Sequence, residues 1–250
     1  MRKAVPSKTT PTPASRLVGK ISRDRVLEAA IRIGDEDSLS ALTMRRLASE
    51  LGVGTMTLYS YFRNKNELLD GVADAILGSL ALPSMNGRDI QSGVRLIGHS
   101  LRNMMREHPT VVRLFSSRTT RSERAMQGSY EQVLQAFIDL GLEETLAVRA
   151  YGILLAYTLG FSAYELPRPW GRNPNETEGA GELRRQRRLF YEALPKAEFP
   201  AMVALSDVLV TLPSDQQFDW GLDVIVAGIL AQHGLAPAAG ERNEAAAGRG

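Results

Sequence analysis

Apolar positions recur at helical spacing along nearly the whole chain. Behind Ser22, a residue suited to capping, Val26, Leu27, Ala30 and Ile31 share one face and predict a first helix ended by Gly34. Leu42-Thr43 opens a second helix, and residues 55–62 form a third. Leu47, Leu51, Leu58, Tyr61 and Phe62 carry one apolar face across the break between them. Gly52 can adopt the left-handed conformation that ends a helix, and Ala48 is small enough for two axes to cross closely. Those two permissive positions are what a helix-turn-helix needs. Asn64-Lys-Asn-Glu67 reads as a capping box for a fourth helix, which carries Leu68, Leu69, Val72, Ile76, Leu77 and Leu80 until Pro83 stops it.

Beyond Arg88 the period stays helical. The segments are 90–108, broken at Pro109, then 111–115, 122–140, 143–166, 183–194, 198–209 and 215–232. No period-two strand stands out, so the predicted fold is all-α: a three-helix helix-turn-helix domain over 20–66, linked by the fourth helix to a helical domain over 67–232. Residues 1–19 read as a flexible basic arm, 167–181 as a breaker-rich loop, and 233–250 as a disordered tail.

Charge sharpens this division. The net charge is only +2, yet residues 1–66 hold twelve Lys/Arg against six Asp/Glu, leaving the remainder acidic. A basic first quarter on an acidic body suits a chain that sends one end to a polyanion. Arg2, Lys3, Lys8, Arg16 and Lys20 of the arm could lie along phosphates or form a solvated tail. The absence of cysteine excludes a disulfide framework and thiolate metal sites, and fits a cytoplasmic location. The first residues make no secretory signal, and the longest uncharged run, 150–164, is shorter than the roughly 20 residues of a bilayer span, so no membrane partner is expected. His99 and His108 lie nine residues apart with no carboxylate cluster, which reads as satisfied or surface histidine. No nucleophile motif or phosphate-binding loop appears, so no catalytic residue, metal site or cofactor is assigned and the chain is not read as an enzyme.

The run Leu42-Thr-Met-Arg-Arg-Leu-Ala-Ser-Glu-Leu-Gly-Val53, followed by Thr57-Leu-Tyr-Ser-Tyr-Phe-Arg-Asn-Lys-Asn-Glu-Leu-Leu69, resembles the tetracycline-repressor family of bacterial transcription regulators. The likeness continues colinearly through Glu107-His-Pro, Tyr157-Thr-Leu-Gly160, Glu198-Phe-Pro200 and Phe218-Asp-Trp-Gly-Leu222, so it covers roughly residues 20–232. It implies that the third helix enters the major groove of double-stranded DNA, with Thr55, Met56 and Thr57 facing bases and Arg45 reaching in beside them. Those side chains suit base edges, since arginine grips guanine and threonine and methionine methyls meet the thymine methyl. Thr43, Tyr59, Tyr61 and Lys65 match positions that hold phosphates, although Tyr61 equally suits the edge of the core.

For residues 67–232 the resemblance implies effector binding and homodimerisation. The helices over 143–166 and 215–232 look like the dimer surface, through Gly152, Leu155, Gly160, Leu222, Ile225, Val226 and Ile229, or else are ordinary core. A two-fold dimer implies a pseudo-palindromic operator. Leu101, Asn103, Met104, Met105, Phe115, Tyr130, Phe137, Tyr151, Tyr157, Phe161 and Tyr164 are the expected ligand-binding residues, suiting a bulky, largely apolar effector. In the tetracycline repressors themselves a histidine and a glutamate help hold magnesium-bound drug. The matching positions here are Phe115 and Tyr164, which are not ligands for a hard cation, so an effector other than magnesium-tetracycline is expected. The leading expectation is a ligand-responsive dimeric repressor. A body controlled by a protein partner is the alternative, and an enzyme with a vestigial reader a remote third.

Overall fold

The computed structural model describes residues 21–115, 122–166 and 180–234, and among these every regular element is a helix. The basic arm, most of the breaker-rich loop and nearly all of the expected tail lie outside the described residues. The chain divides into two compact units, residues 1–68 and 69–250.

The first unit holds α1 (Arg23–Glu36), α2 (Met44–Leu51), α3 (Thr55–Tyr59) and the opening of α4 (Lys65–Leu77). Ser22 caps α1 by accepting from the Arg25 amide at 3.2 Å, and Thr43 caps α2 by accepting from the Arg46 amide at 3.1 Å. Gly52 ends α2 with φ +66. Gly34 does not end α1: it is buried within the helix, which runs on until the Asp37 amide reaches the Ile33 carbonyl at 3.2 Å. α3 is shorter than its apolar period suggests, because the Tyr61 and Phe62 amides both turn back to the Leu58 carbonyl. At α4 the Glu67 amide donates to Asn64 Oδ1 at 2.9 Å, and the Glu67 carboxylate accepts from the Arg63 amide at 2.8 Å, one residue before the usual capping-box donor. Val26, Leu27, Ala30, Ile33, Leu42, Leu47, Ala48, Leu58 and Phe62 form the core, and Leu51 is half-buried.

The second unit is built on α5 (Ile90–Glu107), α9 (Glu144–Glu165) and α13 (Asp215–His233), which pack pairwise. α6 (Pro109–Phe115) packs on α9. α7 (Glu123–Met126) passes through a π-helical turn, Gln127–Glu131, into α8 (Gln132–Asp139), which packs on α5 and α9. At that turn Gly128 lies against the Leu77 carbonyl and within 2.7 Å of Gly78 Cα for any added Cβ, so no side chain fits there. α10 (Ala180–Glu192), α11 (Pro200–Ala204) and α12 (Ser206–Leu209) pack on one another, the last two separated at Leu205 where the sequence predicts a single helix. By length and composition α9 could span a bilayer; here its buried face packs on α5, α8 and α13.

An ion-pair ladder joins α5 to α13. Arg95 pairs with Asp223, His99 Nε2 lies 3.1 Å from Asp219 Oδ1, and Arg102 and Arg106 both bond Asp215 Oδ1, at 2.8 and 2.6 Å. The spacing follows from two antiparallel helix faces at three- and four-residue steps. Arg102 is 2% exposed and also grips Glu165, with Nε to Oε2 at 3.1 Å and Nη2 to Oε1 at 2.5 Å. The Arg106 guanidinium holds the Asp215 carboxyl below the usual carboxylate range.

Replacing Arg102 leaves the buried Glu165 carboxylate with only the more exposed Arg106, at 2.7 Å, as its partner. Arg102→Met is therefore expected to lower stability by about 3–5 kcal/mol. Urea unfolding of the single variant beside Arg102→Met with Glu165→Met checks it: the double variant should recover most of the loss.

Candidate nucleic-acid interface and effector domain

The reader unit presents its surface on α3. That helix buries only Leu58. Thr55, Thr57 and Met56 are exposed, Met56 by 77%, and Arg45 is exposed on α2. The first turn of α3 therefore offers two hydroxyls and a thioether to solvent while one leucine anchors the helix. Among the four phosphate candidates, Tyr59 and Thr43 are exposed and Lys65, at the first position of α4, is half-buried. Thr43 Oγ1 is already the α2 cap, but an oxygen that accepts one amide can still donate its own proton. Tyr61 is tied into the unit: its hydroxyl donates to the Ile21 carbonyl, which fixes the start of α1. Arg46, on the turn beside Arg45, pairs with Asp37 at 2.5 Å.

In the second unit the expected ligand residues divide. Leu101, Met104, Met105, Phe137, Tyr151 and Phe161 are buried, Phe115 and Tyr157 half-buried, and Asn103, Tyr130 and Tyr164 exposed. Two separate aromatic groups result. Tyr130 and Tyr151 lie with ring centroids 4.9 Å apart, and burial pushes the Tyr151 hydroxyl above its ordinary range, with Tyr130 adding to the effect. Tyr157 and Phe161 instead gather on Phe218 of α13, at 5.3 and 5.1 Å, and the Tyr157 hydroxyl donates to the Phe218 carbonyl at 3.0 Å. Those two rings pack the α9–α13 seam. Phe161 and Phe218 also roof the Arg102 guanidinium, whose carbon lies 5.0 Å from the Phe161 centroid and 4.2 Å from that of Phe218. A cleft of about 560 Å³, open to solvent, lies elsewhere, between Leu82–Asn86 and the face carrying Gln127, Glu131, Gln135 and Asp139. None of the expected ligand residues lines it.

The dimer surface also differs from its sequence reading. Gly152 and Gly160 are exposed and Leu155 is half-buried, but Leu222, Ile225, Val226 and Ile229 point into this chain's own core. Apolarity alone could not separate the two faces of α13, because both are apolar. Its outward face carries Trp220, Val224 and Gly228, and the exposed residues of α9 include Val148, Gly152, Ile153, Ala156 and Gly160.

Sequence reasoning missed the ladder on α5 and α13, the fully buried Arg102 and the hydroxyls of Thr158 and Ser162. Arg95, His99, Arg102 and Arg106 share one helical face, as do Asp215, Asp219 and Asp223, so the ladder's signal was in the spacing. Among the described residues no three His, Asp or Glu side chains gather to hold a metal ion.

Comparison with known proteins settles the family. Residues 26–72 match the family model described as bacterial regulatory proteins, tetR family, and residues 82–233 match the tetracyclin repressor-like C-terminal domain. The HTH-type transcriptional repressor DrrR1 of Streptomyces coeruleorubidus is 31% identical over 214 residues, covering 84% of this chain and 77% of its own. The class A tetracycline repressor protein from transposon 1721 of Escherichia coli is 28% identical over 212 residues, covering 84% of this chain and 91% of that one. Among solved structures, the Streptomyces coelicolor TetR family protein ActR in complex with actinorhodin superposes with a TM-score of 0.72 at 31% identity, covering 86% of this chain and 98% of that one. The chain belongs to the tetR family of bacterial regulatory proteins, DNA-binding helix-turn-helix transcription regulators.

Proposed function

We propose that this regulator is a homodimeric repressor that binds a pseudo-palindromic operator and leaves it when a small, largely apolar effector enters the helical unit. The observation that carries the reading is α3, a helix that buries one leucine and leaves Thr55, Met56 and Thr57 open to solvent. Such a helix adds little to its own unit's packing, and its side chains suit base edges. Arg45 reads a guanine, while Tyr59 and Lys65 set register on phosphates, with Thr43 donating its hydroxyl and Tyr61 approaching by its ring edge. Effector control is supported by the ActR–actinorhodin complex, a relative of similar fold holding a small molecule. Leu101, Met104, Met105, Phe137 and Tyr151 form the apolar wall, with Phe115 at its edge. Asn103, Tyr130 and Tyr164, exposed in the fold, are not part of that wall.

Two copies meet through the outward faces of α9 and α13. A Cβ added at Gly152, Gly160 or Gly228 would touch nothing within 4 Å among the described residues, so packing there gives these three glycines on apolar helix faces no reason. A partner helix supplies one, since glycine lets backbones approach closely. The dimer then sets two α3 helices one DNA turn apart, about 34–36 Å.

Selection of bound DNA from a random pool should enrich a palindrome; failure to do so removes the proposal. On the selected site Arg45→Ala should relax specificity at one position, costing about 1–3 kcal/mol there, while Lys65→Ala should weaken all sequences and lower the salt slope by about one. Sedimentation should show a dimer that Val224→Asp converts to folded monomer. Calorimetry should detect no magnesium-dependent tetracycline binding, since Phe115 and Tyr164 offer no hard-cation ligand.

A further inference from the structure

Buried hydroxyls without a hydrogen bond are uncommon in folded proteins. Thr158 and Ser162 are such a pair, 0% and 3% exposed, and neither Oγ meets a partner. Helical serines and threonines commonly return the hydroxyl to a carbonyl about one turn back. Ser129 does so onto Ala125 at 2.6 Å, and even Ser79, in the turn after α4, bonds the Ile76 carbonyl at 2.6 Å. Thr158 and Ser162 do not. They stand one turn apart on α9, on the strip that begins at the buried Tyr151 and runs on to Glu165. That strip belongs to the packed side of α9, whose neighbours are α5, α6, α8 and α13.

Valine and alanine would fill the same space with no polar atom to satisfy. Two adjacent unmet hydroxyls lower the stability of the empty protein, which is the usual sign of a group kept for binding rather than for folding. The charge around them narrows what they would bind. Arg102 and Arg106 of α5, the basic groups that meet Glu165 at the end of the strip, are already bonded to Glu165 and Asp215, so neither of these two is offered to an anion. A neutral oxygen fits this environment, and an anionic one does not.

We propose that Thr158 and Ser162 form the polar end of the effector site and bind a neutral ring oxygen, a ketone, quinone carbonyl or phenol, on an otherwise apolar aromatic effector. The proposal rests on the reading that the helical unit takes a small apolar effector. The hydroxyls donate to a carbonyl or exchange bonds with a phenol. Tyr151, on the same strip, packs its ring 4.9 Å from that of Tyr130 in the π-helical turn and bounds that end.

The test uses the full-length protein and Thr158→Val with Ser162→Ala, singly and together. Without ligand, the substituted proteins should melt at the same temperature as the parent or higher, because the hydroxyls removed have no partner. A clear drop shows that they bond within the fold and overturns the proposal. The binding arm compares 1,4-naphthoquinone with its carbon analogue naphthalene by calorimetry; the chain has no cysteine for the quinone to alkylate. The parent should prefer the quinone by roughly ten-fold, as two modest hydrogen bonds provide, and the double variant should lose that preference. Equal binding of the two probes to the parent, or a preference that survives the double variant, overturns the subsite and leaves the apolar effector reading standing. Binding of neither probe overturns both.

Discussion

A guanidinium buried to 2% exposure must be paired, and Arg102 makes that demand at the centre of the helical unit. Glu165 answers from the last position of α9 and Asp215 from the first position of α13, so one side chain fixes the ends of two helices against a third. Phe161 and Phe218 close over the group from above, adding the attraction of a cation to an aromatic face. Arg106 brings a second positive charge to the same two carboxylates, so two cations meet two anions. The remaining rungs, His99 with Asp219 and Arg95 with Asp223, are more exposed and contribute less. They set register along the seam, while Arg102 fixes where the seam ends.

The reader unit solves a different problem with smaller means. Three short helices leave many amides without helical partners, and side chains take them up: Ser22 at α1, Thr43 at α2, and Asn64 with Glu67 at α4. Of these helices α3 alone starts without a side-chain cap, on Gly54. Its stability comes from Leu58 and from the turn that brings Phe62 into the core, where Arg23 lies 4.7 Å over the ring. Its leading residues are thus released from structural duty, which is the condition for a reading surface whose sequence can change without unfolding the unit.

How much of this was legible in the sequence depended on whether a local signal had a rival. Caps and the left-handed Gly52 were legible because each answers a local demand of the backbone. Gly34 has the same appearance and does not end its helix, since burial inside α1 keeps it helical. Tyr61 is ambiguous in sequence, and its hydroxyl bond to Ile21, forty positions away, is a long-range fact that spacing does not encode. Composition cannot tell which side of a helix each ring takes, so the aromatic side chains of α9 look like one wall in the sequence and are two in the fold. Tyr157 and Phe161 turn to α13, while Tyr151 turns to Tyr130. Taken alone, His99 raises only the question of a metal, although its place in a basic stripe facing an aspartate stripe was readable by the same spacing.

α9 shows why periodicity was a poor guide in the part of the molecule that matters most for control. A helix apolar on all sides belongs in an interior, yet Val148, Gly152, Ile153, Ala156 and Gly160 are open to solvent in a single copy. The helix therefore serves several environments at once: a seam with α13, a packed strip that includes two unmet hydroxyls, and an outer stripe of small and aliphatic residues. None of these environments needs charge between Arg149 and Glu165, so all leave the same apolar signature in the sequence. They differ only in what lies opposite. For the outer stripe, where a Cβ added at Gly152 or Gly160 would touch nothing within 4 Å among the described residues, the second copy proposed above would give every side of α9 a neighbour.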